Sequence, residues 1–401
     1  MRRAATLLLA LIALAAPAAG ASAADRPPAV PGARAAIVID GTDGEVMFAK
    51  RSGARRQIAS TTKLMTALLT LERTGPRQMF TASSRRPAPV ESQIGLRPGE
   101  RMRVSDLFEA LLLESANDAA ETLAEGIAGS RARFVGAMNE RAQQLGLDDT
   151  SFANPIGLDD PSNYSTARDL AALTFDLMQR PRFARVVDMP EAQLESGVRP
   201  RTVDNRNLLI GAYPFVNGVK TGHTSQAGYV LIGSARGGAG GRVISVVMGE
   251  PSETGRDVDT LKLLRWGLGR FHRVRVLDGS RPLARADIEY RDERVAFVPQ
   301  RGTVVTLRGD QKVKRVVHAP DQVSGPLAAG ERVGYVTVFV DGERVRRLPL
   351  VTASAVPKAG TLRVLVSVLG VPLTVLAVLA ILIGVTLLTL RLRVRFRLVK
   401  R

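Results

Sequence analysis

From Ala35 the chain runs apolar to Asp40, turns through Gly41-Thr42-Asp43-Gly44 and continues to Phe48. Two such runs around a Gly-Asp-Gly turn predict a β-hairpin. The spacing then lengthens, with Leu64, Leu68, Leu69 and Leu71 recurring at helical intervals, so Ser60 falls at the start of a helix. Val104 to Ile127, bounded by Gly99 and Gly129, predicts a largely helical stretch with Ser115 and Asn117 inside it or at a break. Tyr229–Ile232 and Val243–Met248 flank a Gly-rich turn and predict a second hairpin. Strands at both ends around central helices imply an α+β domain, an antiparallel sheet with helices, ending near Phe271. From Val274 to Leu350 the runs become short and alternating, divided by Gly or Pro turns. That pattern predicts a small all-β domain of roughly 80 residues.

The two ends differ from this middle. Arg2 and Arg3, the apolar run Leu7 to Ala15 and Ala21-Ser22-Ala23 have the three parts of an export signal, with cleavage near Ala23 or Ala24. Val364 to Leu390 is uncharged and strongly apolar, interrupted by Pro372 and small residues. Its 27 residues exceed the roughly 20 that cross a bilayer. Arg391, Arg393, Arg395, Arg397, Lys400 and Arg401 follow directly. The positive-inside rule keeps this end in the cytoplasm and places everything before the span on the extracytoplasmic side. The segments are therefore 1–24 signal, 25–272 α+β domain, 273–352 β-rich domain, 353–361 linker, 362–390 transmembrane helix and 391–401 basic tail.

Composition narrows the picture further. Apolar residues at 45% and charged residues at 23% fit a folded chain. A formal charge of +18 invites a nucleic-acid reading, but aromatics at 4% and arginines scattered along the whole chain do not build a stacking platform. No nucleic-acid partner is expected. Without a single cysteine, an exported domain must be stable without disulfides, and cysteine-based metal or redox chemistry is excluded. His272 and His318 have no metal-ligand spacing, and no metal or other cofactor is expected.

Chemistry concentrates in three short clusters in fixed order: Ser60-Thr61-Thr62-Lys63, Ser115-Ala116-Asn117 and Lys220-Thr221-Gly222. The chain has only eight lysines, so chance is a poor source for this ordered set. If Ser60 opens a helix, Lys63 lies on the same face within reach of its hydroxyl. A serine hydroxyl needs an adjacent base, and Lys63 serves only with a neutral amine. Burial and a second cation, with Lys220 the candidate, would both lower its pKa. Ser115 is suited to pass a proton to a leaving amine, and Asn117 to hydrogen-bond a substrate amide and pin Lys63. A strand edge beginning at Lys220 offers backbone groups to an extended substrate. Lys220 and Thr221 suit a carboxylate, Gly222 leaves room for close approach, and the N–H groups of Ser60 and His223 suit an oxyanion hole. A Ser-His-Asp triad through His223, with Asp40, Asp118 or Asp169, is the weaker arrangement because Lys63 already supplies a base.

The three clusters match the S-x-x-K, S-x-N and K-T-G signature of penicillin-binding proteins and serine β-lactamases. Around them the chain resembles the low-molecular-mass penicillin-binding proteins, the serine D-alanyl-D-alanine carboxypeptidases. The resemblance is carried by Ala59 to Ala67, by Asn154-Pro155-x-Gly157-Leu158, by Ser165-Thr166-Ala167-x-Asp169-Leu170-Ala171 and by Gly218 to Tyr229. It covers roughly residues 30 to 350 and implies a β-lactamase/transpeptidase-like catalytic domain. It also implies Ser60 as acylated nucleophile, Lys63 as general base, Ser115 in proton transfer, and Asn117, Lys220, Thr221, Gly222 and His223 around the substrate. Arg256 falls where the family places an arginine on the terminal carboxylate. The implied reaction removes the terminal D-Ala from peptidoglycan pentapeptides, with β-lactams as inhibitors. Arg85 to Ser92 departs from the familiar pattern.

A class A β-lactamase needs a glutamate for its deacylating water, and Glu191 to Glu195 only superficially resembles that loop. A D,D-endopeptidase shares all three clusters. A non-catalytic wall scaffold would be expected to have lost Ser60, Lys63 or Lys220, and all three stand intact.

Overall fold

A computed structural model describes residues 26–309 and 311–398. The export signal and the last two cations, Lys400 and Arg401, lie outside the described residues. The described chain divides into two units, the first ending at Phe271 and the second beginning at His272.

In the first unit the hairpin β1 (Ala35–Asp40) and β2 (Val46–Lys50) is joined by three long strands, β9 (Val216–Thr224), β10 (Gly228–Arg236) and β11 (Arg242–Glu250). They form one antiparallel sheet in the order β2-β1-β11-β10-β9, so β9 is a terminal strand. Side chains alternate across a strand. Ala35, Ile37 and Ile39 therefore join one core, with Ile232, Ile244 and Val246, while Ala36 and Val38 join the other, with Leu231 and Val247. All six residues of β1 are buried, which is why its sequence reads as an apolar run rather than an alternation.

Helix α7 (Glu253–Gly269) covers the second face through Leu263 and Leu264. On the first face lies a helical half made of α1 (Lys63–Arg73), α2 (Val104–Leu112), α3 (Asn117–Ala128), α4 (Arg131–Gln144), α5 (Ala167–Met178) and α6 (Pro181–Val187). Its centre is α1, in which Lys63 through Thr70 are all buried. Three two-stranded ribbons complete the unit: β3 (Arg56–Gln57) with β6 (Tyr164–Ser165), β4 (Met79–Thr81) with β5 (Arg101–Arg103), and β7 (Glu191–Leu194) with β8 (Arg201–Asp204).

The second unit holds a six-stranded sheet with its own core, Phe297, Val336, Val338 and Leu350 among its members. It ends in α8 (Thr361–Leu398), the one candidate membrane span among the described residues. One sequence expectation changes here. The apolar run is not one straight span, because Gly370 leaves helical geometry at φ 75° and ψ 160°, two residues before Pro372. The alternating cations from Arg391 to Arg397 continue the same helix.

Candidate active site

Ser60 sits in a 3₁₀ turn, Ala59–Thr62, that leads into α1 at Lys63. The turn is tight: Ala59 adopts φ +47°, in a region that residues with a Cβ seldom enter, and the Thr61 hydroxyl and N–H both donate to Ile58 O. Ser60 makes no capping bond. Instead Lys63 Nζ donates to Ser60 Oγ at 3.0 Å and to Ile156 O at 2.7 Å. Ile156 is held in place by Asn154, whose Oδ1 accepts the N–H groups of Ile156, Gly157 and Leu158. At Gly157, with φ +90°, a Cβ would lie 2.0 Å from Ala59 O. The Asn154–Leu158 turn can pack under the Ser60 turn only with glycine there.

The amine of Lys63 is fully buried, and its pKa lies well below that of a free lysine. Burial is the largest cause, followed by the positive charge of Lys220; Glu91 and Glu121 push the other way and Arg85 with the lowering. Lys220 is buried as well, and desolvation, with Arg206 and Arg256 nearby, brings its pKa to about 7. Two buried lysines of one site thus each hold a proton weakly, the condition under which Lys63 can act as a base.

Strand β9 carries the third cluster. It begins at Val216, four residues earlier than Lys220, and runs along the sheet edge with Lys220 opposite Ile232 and Thr221 opposite Leu231. Gly222 faces the Ser60 turn: a Cβ there would lie 3.1 Å from Ser60 N and 3.1 Å from Ala59 Cβ. His223 stacks on Tyr229 at 4.0 Å, and the Arg256 guanidinium lies 5.9 Å from the same ring. Arg256 is buried and ion-paired with Glu253 and Asp257, so it is a built-in cation rather than one of the surface arginines. Thr224 Oγ1 donates to Asp159 Oδ1 at 2.5 Å, tying the strand to the loop after Leu158.

Ser115 and Asn117 lie where α2 breaks into α3. Ser115 adopts φ +62°, and its buried hydroxyl has no hydrogen-bond partner among the described residues. Asn117 opens α3; its N–H donates to Ser92 O at 2.7 Å and its Nδ2 to Glu91 Oε2 at 2.6 Å. It does not pin Lys63, whose two bonds go to Ser60 and Ile156. Sequence reasoning missed Asn154, Ile156 and Glu91, and the Arg206–Glu114 pair whose charges both act on Lys220. Only Asn154 carried a signal, through the Asn-Pro-x-Gly-Leu stretch.

The competing arrangements find no support in the geometry. Asp118 accepts the N–H groups of Ile94 and Leu96, and Asp169 accepts the Asp149 N–H and the Thr150 hydroxyl, so both carboxylates are committed away from His223. Glu191 to Leu194 forms β7, and Glu195 pairs with Arg103.

A serine bonded to a buried lysine at the foot of a helix, beside the edge of a five-stranded antiparallel sheet, defines the penicillin-binding class of serine acyl-transfer folds. Residues 21–252 match the family profile for D-alanyl-D-alanine carboxypeptidases, and 271–358 that for the C-terminal domain of penicillin-binding protein 5. The chain belongs to the D-alanyl-D-alanine carboxypeptidase family. It is 34% identical to the D-alanyl-D-alanine carboxypeptidase DacD of Salmonella typhimurium, over 84% of this chain and 90% of that one. Penicillin-binding protein 5 of Haemophilus influenzae is similar in structure at a TM-score of 0.60 and 31% identity, covering 83% of this chain and 99% of its own. Penicillin-binding protein D2 of Listeria monocytogenes, in its cefotaxime-bound form, matches at a TM-score of 0.55 and 33% identity, over 60% of this chain and 99% of its own.

Proposed function

We propose that this chain is a serine D,D-carboxypeptidase that releases the terminal D-Ala of peptidoglycan pentapeptide stems and is acylated by β-lactams. The observation that carries the reading is the 3.0 Å bond from the buried Lys63 amine to Ser60 Oγ, under conditions that favour the neutral amine. In this reading Lys63 takes the hydroxyl proton as Ser60 Oγ attacks the penultimate carbonyl. The N–H groups of Ser60 and His223 receive the developing oxyanion. Ser115 passes a proton to the departing D-Ala amine, the C–N bond breaks and an ester on Ser60 remains. Water then adds to that ester and returns the hydroxyl. The terminal carboxylate is held by Lys220 and Thr221, with Arg256 beneath them supplying further positive charge, while the stem extends along β9 beside Asn117.

The family assignment and the intact serine–lysine pair favour this reading over a wall scaffold. Membrane anchoring is supported by the apolar C-terminal helix, with a mean hydropathy of 2.8, and by the match to the penicillin-binding protein 5 C-terminal domain. The catalytic unit then belongs on the extracytoplasmic side, as the export signal and the cations after Leu390 argue. The test is incubation of the full chain with labelled penicillin and, separately, with a peptide ending in D-Ala-D-Ala. An adduct on Ser60 and free D-Ala are expected, both lost in Ser60→Ala. An adduct on another residue, or D-Ala release surviving that change, overturns the assignment.

A further inference from the structure

The segment Arg85 to Ser92, which departs from the familiar pattern in sequence, brings a carboxylate to the active site. Glu91 Oε2 accepts Asn117 Nδ2 at 2.6 Å, and Glu91 Oε1 accepts the Ala88 N–H at 2.9 Å. Arg85 Nη2 donates to both oxygens, at 2.9 and 3.0 Å. The next carbonyl, Ser92 O, takes the Asn117 N–H, so two successive loop residues grip Asn117 by side chain and backbone. The two ends of a carboxamide are alike in shape and opposite in polarity. Turned over, Asn117 would press its oxygen against the Glu91 carboxylate, so that carboxylate selects one orientation. In the selected orientation Asn117 Oδ1 is buried and has no hydrogen-bond partner among the described residues. An unpaired buried acceptor is costly, and a donor brought by a substrate relieves it.

We propose that Glu91 is a positioning residue for the acyl-transfer reaction, its ionised carboxylate fixing the Asn117 carboxamide with the oxygen free for a substrate N–H. The proposal rests on the carboxypeptidase reading for its substrate, but not for its test.

Glu91 is well suited to remain charged. Burial raises its pKa, yet the Ala88 N–H, the Asn117 amide and Arg85 together hold it below the ordinary glutamate value. The same charge acts on Lys63, against Lys220 from β9 and Arg85 from the loop, and together with Glu121 from α3. Glu121 is in turn faced by Arg85 and by Arg131 of α4. Removing the Glu91 charge withdraws support from the Lys63 ammonium, so the neutral amine persists to lower pH.

The experiment compares Glu91→Gln and Glu91→Asp with the parent chain, measuring the rate of Ser60 acylation by labelled penicillin across pH, D-Ala release from a D-Ala-D-Ala peptide, and thermal unfolding. For Glu91→Gln we expect the acid limb of acylation to move to lower pH, by about half a unit, with D-Ala release falling about tenfold at the plateau as the amide loses its fixed orientation. Glu91→Asp, which keeps the charge, returns the limb toward the parent position. Plateau D-Ala release unchanged in Glu91→Gln, or lost equally in Glu91→Asp with a matching fall in unfolding temperature, overturns the proposal and leaves Glu91 a loop strut. A parent chain that acylates but releases no D-Ala overturns the carboxypeptidase reading instead, while the acylation profile still decides the role of Glu91.

Discussion

The active site keeps two lysines where water cannot reach them, and the protein's stability should record it. Lys220 has a pKa of about 7 in the folded chain against 10.5 for a free side chain. Below pH 7 both states carry the proton, and the folded state bears the whole penalty of burying it. Between pH 7 and about 10 the unfolded chain holds a proton that the folded chain has released, so stability rises with pH across that window. Lys63 acts with the same sign. Glu250 acts with the opposite one at lower pH: its pKa is raised to about 7, chiefly by burial, so its contribution to stability declines from about pH 4.5 to 7. A Lys220→Met variant isolates the lysine. Its advantage over the parent chain should be on the order of 4 kcal/mol near pH 6 and shrink steadily toward pH 10, while penicillin acylation falls steeply. Thermal unfolding of both proteins from pH 5 to 10 measures this, and a constant difference across the range would contradict it. Function here opposes stability, as expected where a site needs a charge the fold would rather exclude.

At the level of elements, the placement of Ser60 and Lys63 depends on a turn outside the three sequence clusters. Asn154 is buried and makes four bonds: its Oδ1 accepts three successive N–H groups, and its Nδ2 donates to Leu158 O at 3.1 Å. That network aims Ile156 O at Lys63, and Thr66 Oγ1 fastens the turn to α1 through Pro155 O at 2.8 Å. Asn154→Ala should lower stability by about 2–3 kcal/mol, because the freed N–H groups stay buried, and should slow acylation by releasing Lys63. Denaturant unfolding with the acylation rate checks both, and loss of stability with unchanged acylation would detach the turn from the chemistry. This turn also marks the limit of what the sequence made legible. The β1–β2 hairpin, α1 and the break before α3 follow from periodicity and from Gly and Leu placement, which are local signals. Gly222 was readable because a strand passing a nucleophile needs the space. Glu91 was not, since its role exists only when a loop 26 residues before Asn117 folds back on it. The assumed Asn117–Lys63 contact failed for the same reason: proximity of motifs does not fix which of several partners a side chain takes.

For the whole molecule, the break at Gly370 changes the membrane argument. It leaves Val371 to Leu390 as an uninterrupted apolar helix of 20 residues, which at 1.5 Å per residue is about 30 Å, the thickness of a bilayer's hydrocarbon core. The nine residues from Thr361 to Leu369, which include Arg363, are then not needed to cross it. Large apolar side chains such as Leu376, Ile381 and Leu388 are about 60% exposed, a surface that lipid would cover and water would not tolerate. The core of the first unit owes nothing to this helix, since its buried residues all precede His272. A chain ending at Gly360 should therefore be soluble and form the Ser60 penicillin adduct at the parent rate, whereas the full chain should stay with membranes through alkaline carbonate washing. Leu382→Arg, which sets a charge near the middle of the 20-residue segment, should weaken that retention by about 3 kcal/mol, because a charge there must be drawn into hydrocarbon. Trimming Thr361 to Leu369 alone should leave retention intact. If that trimming releases the chain, the spanning segment begins before Gly370 and the break lies within the bilayer rather than at its edge.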